Sequence, residues 1–172
     1  GEKMETNISI TALAASSNGN SYYIKGGNTE ILIDACISAK CICDRLKAIG
    51  TDISNICGIF VTHEHIDHVK GLATFTKKHT VPIYSSELTW RAILSKEPKI
   101  ERRNCRMIGD ALRCGEVEIN SFEIPHDAID PHVYVFKCNG SKCAYITDTG
   151  FVTPAVRQAA EDADTIILEA NH

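Results

Sequence analysis

The stretch Val61-Thr62-His63-Glu64-His65-Ile66-Asp67-His68 follows the apolar run Ile56-Cys57-Gly58-Ile59-Phe60. An apolar run that ends in polar residues predicts a buried strand whose carboxyl end carries a ligand-binding loop. Neutral imidazole and carboxylate are ligands that suit zinc, manganese or iron. His63 and His65 can point to one metal ion, while Asp67 and His68 can turn to a second. The spacing therefore favours a metal site over a polar surface loop that happens to be rich in histidine.

The length and composition are those of one soluble globular domain. A chain of 172 residues buries a sizeable core, and 44% hydrophobic and 23% charged residues are ordinary values. No apolar stretch reaches the roughly 18 residues needed to cross a bilayer, and no signal peptide precedes the first predicted strand. We expect a single domain over residues 1–172, with residues 1–3 a cloning remnant, and a cytoplasmic location without a membrane partner.

The charge balance leaves nucleic acid open as a partner. The net charge of −4 argues against a surface that is basic all over. A local basic patch and bound metal cations can still serve a phosphate substrate. The richest basic stretch, Lys96 to Arg106 with Arg113 nearby, is either a solvated face or a contact for such a substrate.

The eight cysteines do not form a recognisable zinc-finger or disulfide pattern. There is no C-x-x-C, and the sequence carries no secretory signal. We therefore expect most of the cysteines to be reduced and to act as small, half-buried hydrophobic residues.

Strand and helix patterns alternate along the chain, which predicts an α/β fold. The predicted strands are 8–14, 22–24, 30–33, 56–60, 81–84, 107–108, 117–124, 132–138, 143–147 and 164–169. The predicted helices are 38–49, 69–78, 87–95 and one that opens at Thr153-Pro154. Gly26-Gly27-Asn28 reads as a β-hairpin turn. The pattern indicates a two-layer sheet core covered by helices on the outside.

Two further polar residues follow predicted strands, where a metal site needs them. His126 comes just after the strand that starts at Val117, and Asp148 ends the strongly apolar run before Gly150. Each alone fits a turn residue or, for Asp148, a helix N-cap. Their order after the first motif makes both candidate ligands.

These motifs together resemble the metallo-β-lactamase superfamily, and more closely its bacterial YycJ/WalJ-type exonuclease branch. H-x-H-x-D-H followed by a lone His and then an Asp resembles the superfamily. The segments that resemble the branch are Leu32-Ile33-Asp34-Ala35, Thr62 to Gly71, Pro125-His126-Asp127-Ala128, Thr147-Asp148-Thr149-Gly150 and Leu168-Glu169-Ala170-Asn171-His172.

The resemblance implies an αββα sandwich, with two mixed β-sheets flanked by helices, and a site for two divalent metal ions. Zinc or manganese is expected there, with iron as a further option. Asp34 would tie ligands to the sheet without binding metal itself. The implied metal ligands are His63, His65 and His126 for the first ion, Asp67 and His68 for the second, and Asp148 as a bridge.

The chain departs from the family pattern at three places. Ala15 and Cys36 stand where the family has glycine, which affects loop geometry and leaves the ligands untouched. The superfamily supplies one more metal-binding His after a further strand, whereas this chain stops at His172. We therefore expect a C-terminally incomplete family fold, in which the second ion lacks one protein ligand of the family.

The implied reaction is phosphodiester hydrolysis by a hydroxide that bridges two metal ions. Asp67 would orient that hydroxide, and Glu169 with His172 would pass a proton to the leaving oxygen. The resemblance suggests a DNA exonuclease with 5′-to-3′ polarity and a role in DNA repair, with DNA preferred to RNA as the nucleic acid substrate.

Two other functions stay open: hydrolysis of a thioester or lactam, and a metal-binding but inactive fragment. The remaining aromatic and histidine residues have plainer expected roles. We expect His79 to be exposed at a helix end and His132 to be structural or exposed. Trp90 and Tyr84 are expected to pack rather than to stack on a base.

Overall fold

The structure is a computed structural model that describes residues 8–16, 19–34, 38–61, 70–109, 111–123, 132–147 and 154–169. The strands in these ranges are β1 (Ile8–Ser16), β2 (Gly19–Gly26), β3 (Thr29–Ile33), β4 (Ile56–Phe60), β5 (Ile83–Ser85), β6 (Cys105–Met107), β7 (Ala111–Cys114), β8 (Val117–Glu123), β9 (His132–Cys138), β10 (Ser141–Thr147) and β11 (Thr165–Glu169). The helices are α1 (Ala39–Ala48), α2 (Lys70–Lys78), α3 (Glu87–Lys96) and α4 (Pro154–Glu161).

The strands form two mixed sheets. The first has the order β1-β2-β3-β4-β5-β6, and the second has the order β11-β10-β9-β8-β7. In the first sheet β1, β2 and β3 are antiparallel, whereas β3, β4, β5 and β6 run parallel. In the second sheet only β10 and β11 pair in parallel among the described strands. The parallel part of the first sheet is joined by α1, α2 and α3 as successive crossover helices.

The side chains of each sheet alternate between an inner and an outer face, which builds the layers. On β3, Ile31 and Ile33 belong to the core between the sheets, whereas Leu32 belongs to the core under α1, α2 and α3. On β10, Tyr145 faces the same inner core, whereas Ile146 packs on the outer side with Ala160 of α4. The chain is therefore an αββα sandwich, as the sequence predicts.

Two helices begin at serine N-caps, of which Ser38 is the first residue of a predicted helix. The Ser38 hydroxyl accepts from the Cys41 N–H at the start of α1, and the Ser86 hydroxyl accepts from the Thr89 N–H at the start of α3. After α1 the chain turns at Gly50, whose φ of 89° suits glycine. Within the described ranges, no helix combines the length and apolar character needed to cross a bilayer.

Some predicted elements differ from the observed ones. The strand expected over 81–84 is β5 at Ile83–Ser85, and the strand expected over 107–108 is β6 at Cys105–Met107. The strand β7 is missing from the prediction altogether, because four residues of mixed polarity show too short an alternation to be recognised. The hairpin turn at Gly27-Asn28 and the strands β4 and β9 agree with the prediction.

Candidate metal centre

The parallel strands of the first sheet end side by side. Ile33, the last residue of β3, is the register partner of Phe60, which ends β4. Phe60 in turn pairs with Tyr84 of β5, and Ser85 pairs with Met107 at the end of β6. The residues that follow these strands therefore start from one edge of the sheet, which is where α/β sheets bind ligands.

The second sheet has a comparable row of residues at one edge. Glu123 at the end of β8 pairs with His132 at the start of β9. One step further along the sheet, Thr147 at the end of β10 pairs with Glu169 at the end of β11. The chain therefore leaves β8, β10 and β11 at the same edge.

A hydrogen bond between the sheets places these two edges at the same end of the sandwich. The Tyr145 hydroxyl, two residues before the end of β10, donates to Asp34 Oδ2 over 3.0 Å, and Asp34 directly follows β3. We call this end the ligand pole and define it by Asp34, Val61, Glu123 and Thr147.

All six predicted metal ligands follow the ligand pole closely in the chain but lie outside the described residues. His63 is two positions after Val61, His126 is three after Glu123, and Asp148 is next to Thr147. Three residues span at most about 10 Å, so the backbone of His63, His126 and Asp148 starts within that distance of the strand end before it. The six ligands are His63, His65, Asp67, His68, His126 and Asp148.

The donor set carried by this pole suits a metal ion. The six predicted ligands offer imidazole nitrogens and carboxylate oxygens, which are the ligands of zinc and manganese sites. Within the described ranges there is no group of three or more His, Cys, Asp or Glu side chains that could hold a metal. Of the predicted catalytic residues, Glu169 ends β11, while Asp67 and His172 lie outside the described residues.

Asp34 is an unusual residue for its position. Its side chain is fully buried, and its φ of 58° is a left-handed conformation that non-glycine residues rarely adopt. A buried carboxylate is costly unless it is hydrogen-bonded, and a left-handed residue outside glycine adds about 1–3 kcal/mol of strain. Its N–H donates to the Phe60 carbonyl over 2.8 Å, which ties β3 to the end of β4. Such costs concentrate at functional sites, where the surrounding structure holds them in place.

Val61, the last described residue before the histidine-rich motif, is held by β5 on both sides of its peptide unit. Its N–H donates to the Tyr84 carbonyl over 2.9 Å, and its carbonyl accepts from the Ser85 hydroxyl over 3.0 Å. Ser85 is fully buried. Neither Ser85 nor Tyr145 is predicted from the sequence, because neither residue type signals a contact with a distant strand end.

The opposite end of the sandwich joins the two sheets covalently. Cys57 of β4 and Cys114 of β7 form a disulfide across a sequence separation of 57 residues. Beside it, the Glu116 N–H donates to the Thr29 hydroxyl over 2.7 Å, and the Glu116 carboxylate accepts from the Asn28 N–H. We call this end the hairpin pole and define it by these five residues.

The disulfide is a pair that the cysteine spacing does not indicate. Among the described residues, five other cysteines are free: Cys41, Cys43, Cys105, Cys138 and Cys143. Burial raises the pKa of the Cys43, Cys105 and Cys138 thiols above the usual range, and raises the pKa of Cys143 to about 12. These four thiols stay protonated at neutral pH, which makes them poor nucleophiles.

The remaining singled-out residues take structural roles. Trp90 is buried and its indole N–H donates to the Arg106 carbonyl over 2.7 Å, while the Tyr84 ring stacks on Phe60 at 5.0 Å. The expectation that His79 is exposed is wrong. Its ring is half-buried against Phe75, with its Nε2 3.7 Å from the sulfur of Cys43.

Two arginines of the basic stretch before β6 donate hydrogen bonds to backbone carbonyls. The Arg102 guanidinium donates to the Pro98 and Ile100 carbonyls, and that of Arg103 donates to the Thr76 carbonyl. Arg102 and Arg103 precede β6, whose other end belongs to the edge of the ligand pole. These bonds favour the solvated-face interpretation of the stretch over a substrate contact.

Comparison with known proteins agrees with the αββα fold. The family model described as a beta-lactamase superfamily domain matches residues 29–172. Exodeoxyribonuclease YycJ of Bacillus anthracis is 35% identical over 167 residues, which cover 96% of this chain and 63% of that protein. Exodeoxyribonuclease WalJ of Streptococcus pneumoniae strain D39 is 32% identical over 173 residues, which cover 98% of this chain and 64% of that protein. The chain thus spans about 64% of the length of these curated relatives.

Two more distant similarities come from other members of the fold. A hydroxyacylglutathione hydrolase of Rhodopseudomonas palustris is 26% identical over 117 residues, covering 68% of this chain and 43% of that protein. The solved structure of Rm3 metallo-beta-lactamase superposes with a TM-score of 0.65 at 18% identity, covering 92% of this chain and 74% of that one. That second similarity concerns the fold alone. Because the family model matches most of this chain and two curated relatives are more than 30% identical to it, the chain belongs to the metallo-β-lactamase superfamily.

Proposed function

We propose that this chain is the metal-dependent part of a phosphodiesterase that degrades DNA as a 5′-to-3′ exonuclease in the cytoplasm. The observation that carries the proposal is the convergence of β4, β8 and β10 on the ligand pole, each followed by predicted ligands. The two exodeoxyribonuclease relatives support DNA as the substrate and favour it over RNA.

Two divalent ions, zinc or manganese with iron as a further option, would supply positive charge near the scissile phosphate and make a bound water more acidic. His63, His65 and His126 would hold one ion, Asp67 and His68 the other, and Asp148 would contact both. The donor chemistry of these residues and their common origin at one pole fit such a pair.

The protein's own residues would then handle protons. The Asp67 carboxylate would orient the attacking water and accept its proton. Glu169 and His172 would deliver a proton to the sugar oxygen that leaves phosphorus, so that the departing alkoxide is neutralised. No serine or cysteine nucleophile is needed, which agrees with the raised pKa of four of the free thiols.

A second candidate function is hydrolysis of a thioester. The observation that favours it is the relative named hydroxyacylglutathione hydrolase, at 26% identity. The same donors can serve carbonyl chemistry, because fold and ligands alone do not select the substrate. Lactam hydrolysis is a related form of this alternative.

The experiment that tests the proposal compares DNA labelled at the 5′ or the 3′ end, incubated with the purified chain and Mn²⁺ or Zn²⁺. We expect early release of the 5′ label as mononucleotide. Asp67→Ala should lower the rate at least about 100-fold, because even outer residues of metal sites are worth 10–100-fold. A chelator should abolish cleavage, and RNA of the same sequence should be cut more slowly.

Each alternative gives a different result in this assay. Release of the 3′ label first would overturn the polarity, and cleavage that survives both the chelator and Asp67→Ala would overturn the metal mechanism. Binding of two metal ions with no DNA cleavage, together with turnover of a hydroxyacylglutathione thioester, would replace the nuclease with the thioester hydrolase. About one bound ion and no turnover of either substrate would indicate a metal-binding but inactive fragment.

A further inference from the structure

The tyrosine that joins the sheets at the ligand pole is held rigidly. Tyr145 is fully buried, and its ring contacts Tyr22 edge-on at 6.0 Å and Tyr134 at 6.5 Å. Its backbone is paired on both sides, with Tyr134 of β9 and Ile167 of β11. Packing and pairing therefore fix where its hydroxyl points, and that hydroxyl meets Asp34 Oδ2.

Asp34 is also hydrogen-bonded to the end of β4, the strand that precedes the histidine-rich motif. Its N–H donates to the Phe60 carbonyl, and Val61 follows Phe60 directly. The other partner in the bond, Tyr145, lies three positions before the predicted ligand Asp148. Two hydrogen bonds, both made by Asp34, thus link the chain just before the first group of predicted ligands with the strand that leads to Asp148.

We propose that Tyr145 is a positioning residue for the metal centre, which acts by holding the Asp34 carboxylate. The inference rests on the proposed metal site, although not on the choice of DNA as substrate. Side chains that orient metal ligands from outside the coordination shell typically set metal affinity by 10–100-fold. Tyr145 does not touch the metal or the substrate in this role, and it therefore acts through Asp34.

The other end of β3, the strand that Asp34 follows, provides a matched comparison. Tyr23 is also buried, and its hydroxyl donates to the Glu30 carboxylate over 2.6 Å, where the Thr51 hydroxyl donates as well. Glu30 is near the start of β3, whereas Asp34 follows its end. Tyr23→Phe and Tyr145→Phe therefore delete the same kind of bond, one away from the ligand pole and one within it.

The test measures the dissociation constant of Zn²⁺ alone by competition with a chromogenic chelator, together with the melting temperature of the metal-free proteins. We expect Tyr145→Phe to bind zinc at least 10-fold more weakly than the parent chain, with an altered visible spectrum when Co²⁺ replaces zinc. Tyr23→Phe should keep the affinity within twofold while losing a comparable amount of thermal stability. A purely structural role would lower the melting temperature of both variants and leave both zinc affinities alike.

A second variant covers the case in which Tyr145→Phe does not fold. Asp34→Gly removes the acceptor from the other side, leaves the Tyr145 ring in place and suits the left-handed backbone at this position. It should also bind zinc at least 10-fold more weakly. Zinc affinity within twofold of the parent in either folded variant overturns the inference, as does a parent chain that binds no zinc. A parent that binds zinc but cuts no DNA overturns the nuclease proposal and leaves this comparison valid.

Discussion

The two poles of the sandwich are joined in different ways. At the hairpin pole, a disulfide and the Thr29–Glu116 bond connect β4 and the hairpin between β2 and β3 to β7 and the turn after it. At the ligand pole, the Tyr145–Asp34 hydrogen bond connects the sheets within the described part of the chain, beside strand ends that lead into polar segments. One pole is cross-linked through short turns, and the other holds polar groups at the ends of rigid strands.

This difference separates stability from function within one fold. Functional side chains need loops that leave rigid strands, and those loops contribute little hydrophobic burial. A disulfide and hydrogen-bonded turns at the hairpin pole can compensate for this missing burial, and they lie far from the predicted metal site. We therefore expect changes at the hairpin pole to alter the free energy of unfolding, and changes at the ligand pole to alter metal affinity as well.

The largest expected effect on stability comes from the disulfide. Replacing both Cys57 and Cys114 with serine opens a loop of 57 residues in the unfolded chain, which the chain-entropy model values at about 4 kcal/mol. Urea unfolding should show a loss of about 2–4 kcal/mol, because native geometry and residual structure reduce the ideal value. Zinc affinity should stay within twofold of the parent chain.

Two controls isolate the covalent link. Cys105→Ser changes a free, half-buried cysteine and should cost less than the double replacement. Adding a thiol reductant to the parent should lower its unfolding midpoint to that of the double variant, while leaving the double variant unchanged. A midpoint that does not move with reductant would show that the two sulfurs are not bonded in solution.

Local sequence patterns predict much of this molecule. Ser38 predicts the start of α1, because a serine hydroxyl can cap the helix that follows it. The alternation of residues in β9 predicts both bounds of that strand. The metal ligands of the histidine-rich motif stay a prediction, made from candidate residues that are only one to five positions apart. The fold class follows from the order of such elements.

The contacts that organise the two poles could not be predicted in this way. Tyr145 and Asp34 are 111 positions apart, and Ser85 lies 24 positions from Val61. Which distant side chains meet depends on sheet order and register, and a single sequence does not display either. The pairing of Cys57 with Cys114 was missed for the same reason, since many pairings of eight cysteines are equally compatible with spacing.

The second-largest loss of stability is expected from a substitution of Ser85, at the ligand pole. Ser85→Ala leaves the Val61 carbonyl without its hydroxyl donor in a fully buried place, which should cost about 1–3 kcal/mol in urea unfolding. Because Val61 precedes the predicted ligands, zinc should also bind about 10-fold more weakly. Weakened folding with unchanged zinc affinity would mean that Val61 does not transmit its position to the loop.

The smallest effect is expected from the matching hydroxyl at the hairpin pole. Thr29→Val keeps the shape of a buried side chain but removes the acceptor for the Glu116 N–H, and should cost about 1 kcal/mol in urea unfolding. Zinc affinity should not change, because the bond lies at the far end of β3 from Asp34. Ser85→Ala and Thr29→Val each delete one hydroxyl, so their ratio of lost affinity to lost stability compares the poles directly. If Thr29→Val weakens zinc binding as much as Ser85→Ala does, the two ends are coupled through the sheets and the division between them fails.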